Sequence, residues 1–265
     1  MIRAAAAKDS LRLTLTAETE EVSLDTDDLP AEGLVLQRSG DPASSTSPAN
    51  VTIDGRGRTV DLTGSTPGAL ITVGDGVTLT LRNITLRGLD NNKDGSGEGE
   101  NNAALIKVVG GHLILEDGAV IRDNHGGNGG SDYAKGGGVY VERGTFAMNG
   151  GAIRGNAIGS NSRGGGVYAG GGTFTMNGGE ISGNTIGIYG IGGGVFVGGG
   201  TFILDGGGIS GNISGPTSYG GGVFVGEGEF TMERGTIRDN KADCRRRVCV
   251  RRGHVHHERR YHTRQ

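Results

Sequence analysis

Tryptophan is absent from this 265-residue chain, and proline and cysteine are scarce, with 5 and 2 residues respectively. The two cysteines are Cys244 and Cys249, so residues 1–243 have no thiol for a disulfide or a thiolate-bound metal. No apolar run approaches the length of about 20 residues that a membrane-spanning helix needs. The composition therefore argues against a disulfide scaffold and predicts no membrane span in this chain.

Glycine is the abundant residue, with 56 copies. A collagen helix is excluded because glycine does not recur at every third position. Simple disorder is a poor fit, because valine, isoleucine and phenylalanine return at regular places between the glycines. Glycine adopts positive φ at little cost, so an ordered chain of this composition is expected to contain many tight turns.

A repeat of 28 residues runs through the second half of the chain. The motif Gly-Gly-Gly-Val-Tyr/Phe begins at Gly136, Gly164, Gly192 and Gly220. The second unit reads GGGVYAGGGTFTMNGGEISGN and the third reads GGGVFVGGGTFILDGGGISGN. A more divergent copy upstream, GHLILEDGAVIRDN, ends at Asn124. Such a fixed period predicts a solenoid whose units bury their apolar faces only by stacking on one another.

Each repeat contains three short runs of alternating residues, such as Thr-Phe-Ala-Met, with glycine or Asn-Gly between them. Alternation is typical of half-buried strands, and the glycines mark turns. Three strands per unit predict one coil of a triangular all-β solenoid, with successive coils stacked about 4.8 Å apart. The side chains expected to point inward in the first unit are Val139, Val141, Phe146, Met148 and Ile153.

Two upstream stretches, VTIDGRGRTVDL and GVTLTLRNITLRG, resemble the opening coils of the pectin-lyase-like right-handed parallel β-helix superfamily. The GGGVYV…GTFTMNGGxIxGN unit resembles repeats of large bacterial secreted or surface proteins. Residues 146–149 and 150–153 are similar, more distantly, to the FxxN and GGA-I repeats of the polymorphic outer-membrane family. The resemblance covers roughly residues 50–243. It implies a right-handed parallel β-helix of about six or seven coils.

The chain divides into three predicted regions. Residues 1–49 are expected to be a partial or capping region, residues 50–243 the β-helix, and residues 244–265 an aberrant basic tail. The first residues show no signal-peptide core or cleavage pattern, which alone predicts a cytoplasmic chain. The resemblance instead implies a secreted or cell-surface location as part of a longer protein.

The tail breaks every pattern of the repeats. It contains eight of the 26 basic residues but one of the 29 acidic ones, and four of the six histidines. It could bind nucleic acid or anionic glycans. A second interpretation is a zinc cluster, built from Cys244, Cys249, His254, His256, His257 and His262.

A third interpretation, which we favour, is that the tail is a repeat translated out of frame. When the tail is reverse-translated and read one base later, codons exist that spell GGG-x-V-x-GGG-TFTM-N/S-GG-T-I-x-G. That is the repeat with its spacing nearly intact, which chance explains poorly over about twenty codons. A frameshift near residues 241–244 would also explain why both cysteines lie in the tail. The basic charge of the tail would then be a product of the shift, so we expect no nucleic-acid partner.

Enzymes on such a scaffold need clustered carboxylates, or calcium-binding carboxylates beside a basic residue. The sequence shows neither arrangement, so we expect no enzymatic activity. Asp54, in TIDGRGR, is interpreted as a turn residue. Arg122, Arg154 and Arg238 precede the asparagines of their repeats, but serine replaces arginine in the middle copies, which is typical of a solvated face.

Asp90, Asn92, Asp94 and Glu98 match the first part of a D-x-[DN]-x-[DN]-G calcium loop. The position of the bidentate glutamate is instead Asn101, with Glu100 beside it. We therefore expect a mobile acidic loop and no cofactor, with calcium at this loop as the alternative.

Two columns of aligned side chains are candidate sites. The asparagines are expected to stack and hydrogen-bond along the solenoid axis, a structural role; they are Asn156, Asn184, Asn212 and Asn240. The aromatics follow the first valine of each unit, so alternation places them outside, where rings could bind sugars. Packing alone is the alternative for this aromatic ladder, which comprises Tyr140, Tyr168, Phe196 and Phe224.

The resemblance implies an adhesin-like structural or binding repeat protein, with a carbohydrate or a host or cell-surface protein as the partner. The alternative is a fragment of a polysaccharide lyase or glycoside hydrolase that lacks its catalytic coils, and a decayed gene is a third possibility. The solenoid is expected to lack a native C-terminal cap, which leaves unpaired strand edges through which the chain could self-associate.

Overall fold

The structure is a computed structural model that describes residues 11–15, 21–24, 34–38, 49–62, 68–89, 101, 103–126, 133–243, 248–250 and 254–257. Within these ranges the chain forms 22 strands and no helix. All inter-strand pairings between them are parallel, and most strands belong to one continuous sheet. The prediction of an all-β chain of parallel strands is therefore confirmed for the part described, and the arrangement is solenoid-like.

Eight strands precede the glycine-rich repeats. They are β1 (Leu11–Leu15), β2 (Glu21–Leu24), β3 (Leu34–Arg38), β4 (Ala49–Asp61), β5 (Ile71–Gly74), β6 (Val77–Arg87), β7 (Ile106–Leu115) and β8 (Val120–Arg122). The first of them, β1, pairs with β3, and β3 pairs with β5. Parallel strand pairing thus begins upstream of residues 50–243, the region that was predicted to form the β-helix.

Twelve strands lie in the repeats and two in the tail. The repeat strands are β9 (Val139–Met148), β10 (Ala152–Arg154), β11 (Ala157–Ile158), β12 (Val167–Ala169), β13 (Thr173–Met176), β14 (Glu180–Ser182), β15 (Thr185–Ile186), β16 (Val195–Val197), β17 (Thr201–Ser210), β18 (Ile213–Ser214), β19 (Val223–Val225) and β20 (Glu229–Arg238). The tail strands are β21 (Val248–Val250) and β22 (His254–His257).

Equivalent residues of successive repeats lie opposite each other in the sheet. Val167 pairs with Val195 and Phe174 with Phe202, each 28 positions further along the chain. The register therefore brings identical residues into columns that run from one repeat to the next.

The core is built from the predicted inward positions. Val139, Val141, Met148 and Ile153 have no exposed surface, and Phe146 is 1% exposed. Their equivalents in later repeats continue the same columns. The phenylalanine rings stack with centroids 4.6, 4.7 and 5.0 Å apart, close to the spacing between strands.

The structure adds a short strand, which the sequence pattern did not predict, to each of the first three repeats. The two-residue strands β11, β15 and β18 form a separate three-stranded sheet. Ile158 and Ile186 point from it into a small cluster with Ala134. The pattern missed these strands because two residues are too few to show alternation.

The glycine triplet has two physical roles, illustrated by the second repeat. Gly164 has a φ of 71°, a conformation that most residues avoid. At Gly165 a Cβ atom would collide with the carbonyl oxygen of Gly193 in the next repeat. The triplet therefore both turns the chain and lets neighbouring repeats approach closely.

Candidate functional site

The aromatic ladder lies on the opposite side of its strands from the core. Tyr140, Tyr168, Phe196 and Phe224 occupy one register column of β9, β12, β16 and β19. Successive ring centroids are 5.0, 5.0 and 5.6 Å apart. The flanking valines are fully buried, and the rings form their own cluster outside the main core. The ladder therefore exists where alternation predicted it.

The ladder is mostly covered. Tyr168, Phe196 and Phe224 are only 8%, 5% and 4% exposed, and Tyr140 is partly exposed. The cover is a second column of residues, each of which lies just before a glycine triplet. Successive members are joined by parallel β-bridges of the backbone, and they are Lys135, Arg163, Ile191 and Tyr219. This burial is what the packing interpretation of the ladder expects.

Cations and a tyrosine edge contribute to this cover. The Nζ atom of Lys135 lies 5.7 Å from the ring centroid of Tyr140, and the Cζ atom of Arg163 lies 5.6 Å from that of Phe196. Tyr219 meets Phe224 edge-on at 6.4 Å. Such cation–π contacts contribute about 0.5–1 kcal/mol at exposed sites. The outer surface over the ladder is thus basic at one end and aromatic at the other.

Tyr140 marks the basic end. The ammonium of Lys107 lies 5.5 Å from its ring centroid and 2.7 Å from the carboxylate of Glu142. The hydrogen bond from Lys107 lowers the pKa of Glu142, and the nearby positive charges lower it further. Burial, followed by the charge of Glu142, raises the pKa of Tyr140 to about 12. The phenol therefore stays protonated, and remains a hydrogen-bond donor, at neutral pH.

The large exposed apolar side chains of the described residues lie in three of the segments that precede a glycine triplet, and none lies in residues 156–164. They lie in the segments between the asparagine and the next glycine triplet, with exposed fractions of 53, 46, 62, 40 and 46%, and they are Tyr133, Ile188, Tyr189, Ile213 and Tyr219. We call this set the corner surface. Sequence reasoning missed it because four of the five residues lie outside the strands, where alternation does not apply, and Ile213 lies in the two-residue strand β18. The available signal was the 56-residue spacing of Tyr133 and Tyr189, which is two repeats.

The asparagine column is buried and continuous. Each side-chain amide donates to the Oδ1 atom of the next asparagine at 2.9 Å. Each backbone N–H also donates to that oxygen, at 2.9–3.1 Å. The column begins upstream of the repeats, at Asn101 and Asn124, whose side chains are also fully buried. These contacts agree with the predicted structural role.

Asn101 lies where a calcium loop would need its last ligand. Its side chain instead exchanges two hydrogen bonds of 3.0 Å with the backbone of Gly68 and donates to Asn124. The other candidate ligands, Asp90, Asn92, Asp94 and Glu98, lie outside the described residues. Asn101 therefore joins neighbouring backbone segments and has a structural role.

The described charged groups form local pairs. Asp54 accepts hydrogen bonds from the backbone N–H of Arg56 and from the Arg82 side chain, each at 3.0 Å, and the first of these is the main cause of its lowered pKa. The bond from Arg56, two residues on, is the turn interaction that the sequence predicted. Across coils, Arg87 pairs with Asp61 at 2.6 Å. Among the residues described, no three His, Cys, Asp or Glu side chains lie together in a way that could hold a metal ion.

Comparison of the chain with protein-family models, with curated proteins and with solved structures found no match. The described part of the chain has no helix long and apolar enough to cross a membrane. The regular scaffold positions two features with binding potential, the corner surface and the covered aromatic ladder.

Proposed function

We propose that the protein is an adhesin-like repeat protein, secreted or displayed on the cell surface as part of a longer chain, whose rigid solenoid presents a binding surface. The corner surface supports this proposal most directly. Its apolar side chains come from three equivalent segments of the solenoid, before the glycine triplets at residues 136, 192 and 220, and they remain 40–62% exposed in a chain whose core is otherwise well buried. Exposed apolar patches of this kind often mark binding sites.

The partner we propose is a carbohydrate or a protein of a host or cell surface. Three tyrosines, Tyr133, Tyr189 and Tyr219, supply the aromatic part of the corner surface. Tyrosine suits such a surface because its ring offers an apolar face and its hydroxyl a hydrogen bond. The neighbouring Lys135 and Arg163 add positive charge, which would favour an acidic ligand over a neutral one.

For the fold we propose a right-handed β-helix of the pectin-lyase-like kind, with coils of 28 residues. The constant 28-residue register of the repeats supports the coil length. Handedness is supported by a general rule, because connections between parallel strands of one sheet are right-handed in about 98% of cases. An experimental structure with left-handed coils would contradict this part of the proposal.

The binding proposal is tested with the full chain and the double variant Tyr189→Ser/Tyr219→Ser. Binding would be measured against a panel of neutral and acidic oligosaccharides and against intact cells. Both rings are about half exposed, so the variant is expected to fold normally while losing at least tenfold in affinity. Arg154→Ser, an exposed change on β10, is the matched control and is expected to bind normally.

Two results would count against the proposal. Unchanged binding by a folded double variant would show that Tyr189 and Tyr219 of the corner surface do not contribute to binding. Cleavage of an acidic polysaccharide by the purified full chain would favour the alternative of a carbohydrate-active enzyme. Antibody labelling of intact source cells would test the proposed location, and a signal seen only after lysis would contradict it.

A further inference from the structure

A turn of four residues recurs in each of the first three repeats, between the asparagine and the next glycine triplet. The turns comprise residues 159–162, 187–190 and 215–218. The third residue of each turn has a positive φ, which is 60° at Asn161, 58° at Tyr189 and 55° at Thr217. The second residue does not. Turns with this combination, as in type II, strongly prefer glycine or asparagine at the third position.

Tyrosine is therefore poorly suited to position 189. Asparagine tolerates the left-handed conformation, whereas a bulky side chain there is crowded by the following carbonyl. Hydrogen bonds between coils nevertheless hold the backbone in place. The N–H of Asn161 donates to the carbonyl of Ile188 at 2.8 Å, and the N–H of Tyr189 donates to the carbonyl of Pro216 at 3.3 Å. The stacked coils thus impose on Tyr189 a conformation that destabilises the chain relative to asparagine at the same position.

The scaffold makes little use of the Tyr189 side chain. Its exposed fraction of 62% is the largest in the corner surface. It makes no ring contact and no side-chain hydrogen bond with the residues that the structure describes. Tyr219, by contrast, contacts the ring of Phe224. A strained residue whose side chain makes no such contact points to a role outside the fold.

Ile188 extends the apolar tip of the same turn. It is 46% exposed, whereas the equivalent turns have Ser-Asn and Pro-Thr at these two positions. Two large apolar side chains are therefore exposed together on the middle one of three stacked turns. An exposed apolar tip fits a pocket in a protein better than it fits a sugar, because sites for small ligands are concave. Tyrosine is also among the residues that contribute most to binding at protein interfaces.

We propose that Ile188 and Tyr189 form the anchor of the corner surface and insert into an apolar pocket of a protein partner. The inference rests on the binding function proposed above. It identifies the residues that contribute most to binding, and it selects a protein from the two partner classes. Arg163, which is exposed in the neighbouring coil and bridges to Ile191, adds a positive charge beside the anchor. The pocket is therefore expected to have an acidic rim.

The first test is Tyr189→Asn in the full chain, which gives this turn the residue found at Asn161. Relief of the backbone strain should raise the melting temperature by about 2–4 °C. Loss of the ring should weaken binding to intact cells by about tenfold or more. A residue with a purely structural role would not lose binding while the fold becomes more stable.

The matched control is Thr217→Asn, at the same position of the next turn. Its melting temperature should also rise by about 2–4 °C, while its binding should equal that of the native chain. Ile188→Ser tests the other half of the anchor, because the φ of Ile188 is not positive. It should weaken binding by about fivefold or more without raising the melting temperature.

The class of the partner is tested by treating the cells before the assay. Protease treatment should abolish binding of the native chain, whereas periodate, which oxidises sugars, should leave it unchanged. Loss of binding after periodate alone would identify a carbohydrate and overturn the choice of a protein partner.

The remaining outcomes separate this inference from the proposed function. If the native chain binds and both Tyr189→Asn and Ile188→Ser bind equally well in folded form, the anchor is wrong and the binding function stands. If the native chain binds neither cells nor oligosaccharides, the proposed function is wrong and the anchor falls with it.

Discussion

Asn156 and Asn184 lie one repeat apart, and the Oδ1 atom of Asn184 accepts two hydrogen bonds from Asn156. One comes from the side-chain amide at 2.9 Å and the other from the backbone N–H at 3.1 Å. Both asparagines are fully buried. Because the same pair of bonds recurs down the column, each asparagine satisfies the donors of the coil before it.

Replacing Asn184 with alanine should destabilise the chain strongly. Two buried donors of Asn156 would lose their acceptor, and each unsatisfied buried group costs about 1–3 kcal/mol. We expect a loss of about 2–4 kcal/mol in the free energy of unfolding, measured by urea denaturation. The control is Asn177→Ala, since Asn177 also stacks on an asparagine, Asn149, but on the exposed surface. Equal losses in the two variants would show that burial does not set the cost.

The glycines of the repeats should differ sharply in their tolerance of substitution. Gly165→Ala places a Cβ atom against the carbonyl of Gly193 and should cost about 1–3 kcal/mol or more. Gly183 has a positive φ, but nothing lies near its missing side chain, and aspartate holds the equivalent conformation at Asp123 and Asp239. Gly183→Asn should therefore cost about 1 kcal/mol or less. Thermal unfolding of both variants checks the difference, which a reversed order would contradict.

The sequence predicted the features that recur at a fixed position in every repeat. The inward positions such as Phe146 and Ile153, and the contacts between Asn156 and its successors, follow from alternation and a fixed period. The cover over the aromatic ladder does not follow, because Arg163 and Tyr219 belong to segments without alternation. Their contacts with Phe196 and Phe224 depend on how the chain returns before each glycine triplet, which no local pattern encodes.

The site was predictable to a smaller extent. Alternation correctly placed Tyr168 and Phe196 outside the core, yet it could not show that they are 8% and 5% exposed. The exposed rings are instead those of Tyr133, Tyr189 and Tyr219, whose columns hold different residue types in successive repeats. A column of varied residues gives no repeat signal, so the binding surface is harder to predict than the scaffold.

Tyr140 should make a contribution to the free energy of unfolding that is lost at high pH. Burial raises its pKa from the ordinary tyrosine value of 10.0 to about 12 in the folded chain. The protonated phenol is the form that the folded state favours. The contribution is therefore complete below pH 10 and is lost as the pH rises through about 12. Tyr140→Phe should remove this part of the pH dependence of the melting temperature, whereas Tyr189→Phe, at an exposed position, should retain it.

Calcium should leave the fold unchanged. The loop that contains Asp90 and Asp94 lacks the bidentate glutamate at its last position, where Asn101 instead bonds to Gly68 and Asn124. We expect the same melting temperature with excess calcium and with a chelator. A rise in the melting temperature with calcium that is absent in Asp90→Asn/Asp94→Asn would instead establish a calcium site in this loop.

The reading frame of the gene can be tested by sequencing the DNA across codons 235–265 and onward. The described strands of the tail pair with the last repeat at an offset of 25 residues, which places residues 254–257 opposite Glu229, Phe230, Thr231 and Met232. In the sequence, the same offset aligns residues 245–247 with the glycine triplet at residues 220–222. If the tail derives from a repeat read out of frame, the codons read one base later should give Gly-Gly-Gly at the first stretch and Thr-Phe-Thr-Met at the second. Both results together would mean that the tail's cysteines and charge arose from the shift and carry no information about a metal or an anionic partner. If the shifted frame spells neither, the basic tail is an original part of the protein, and its histidines and cysteines become the first residues to test for zinc.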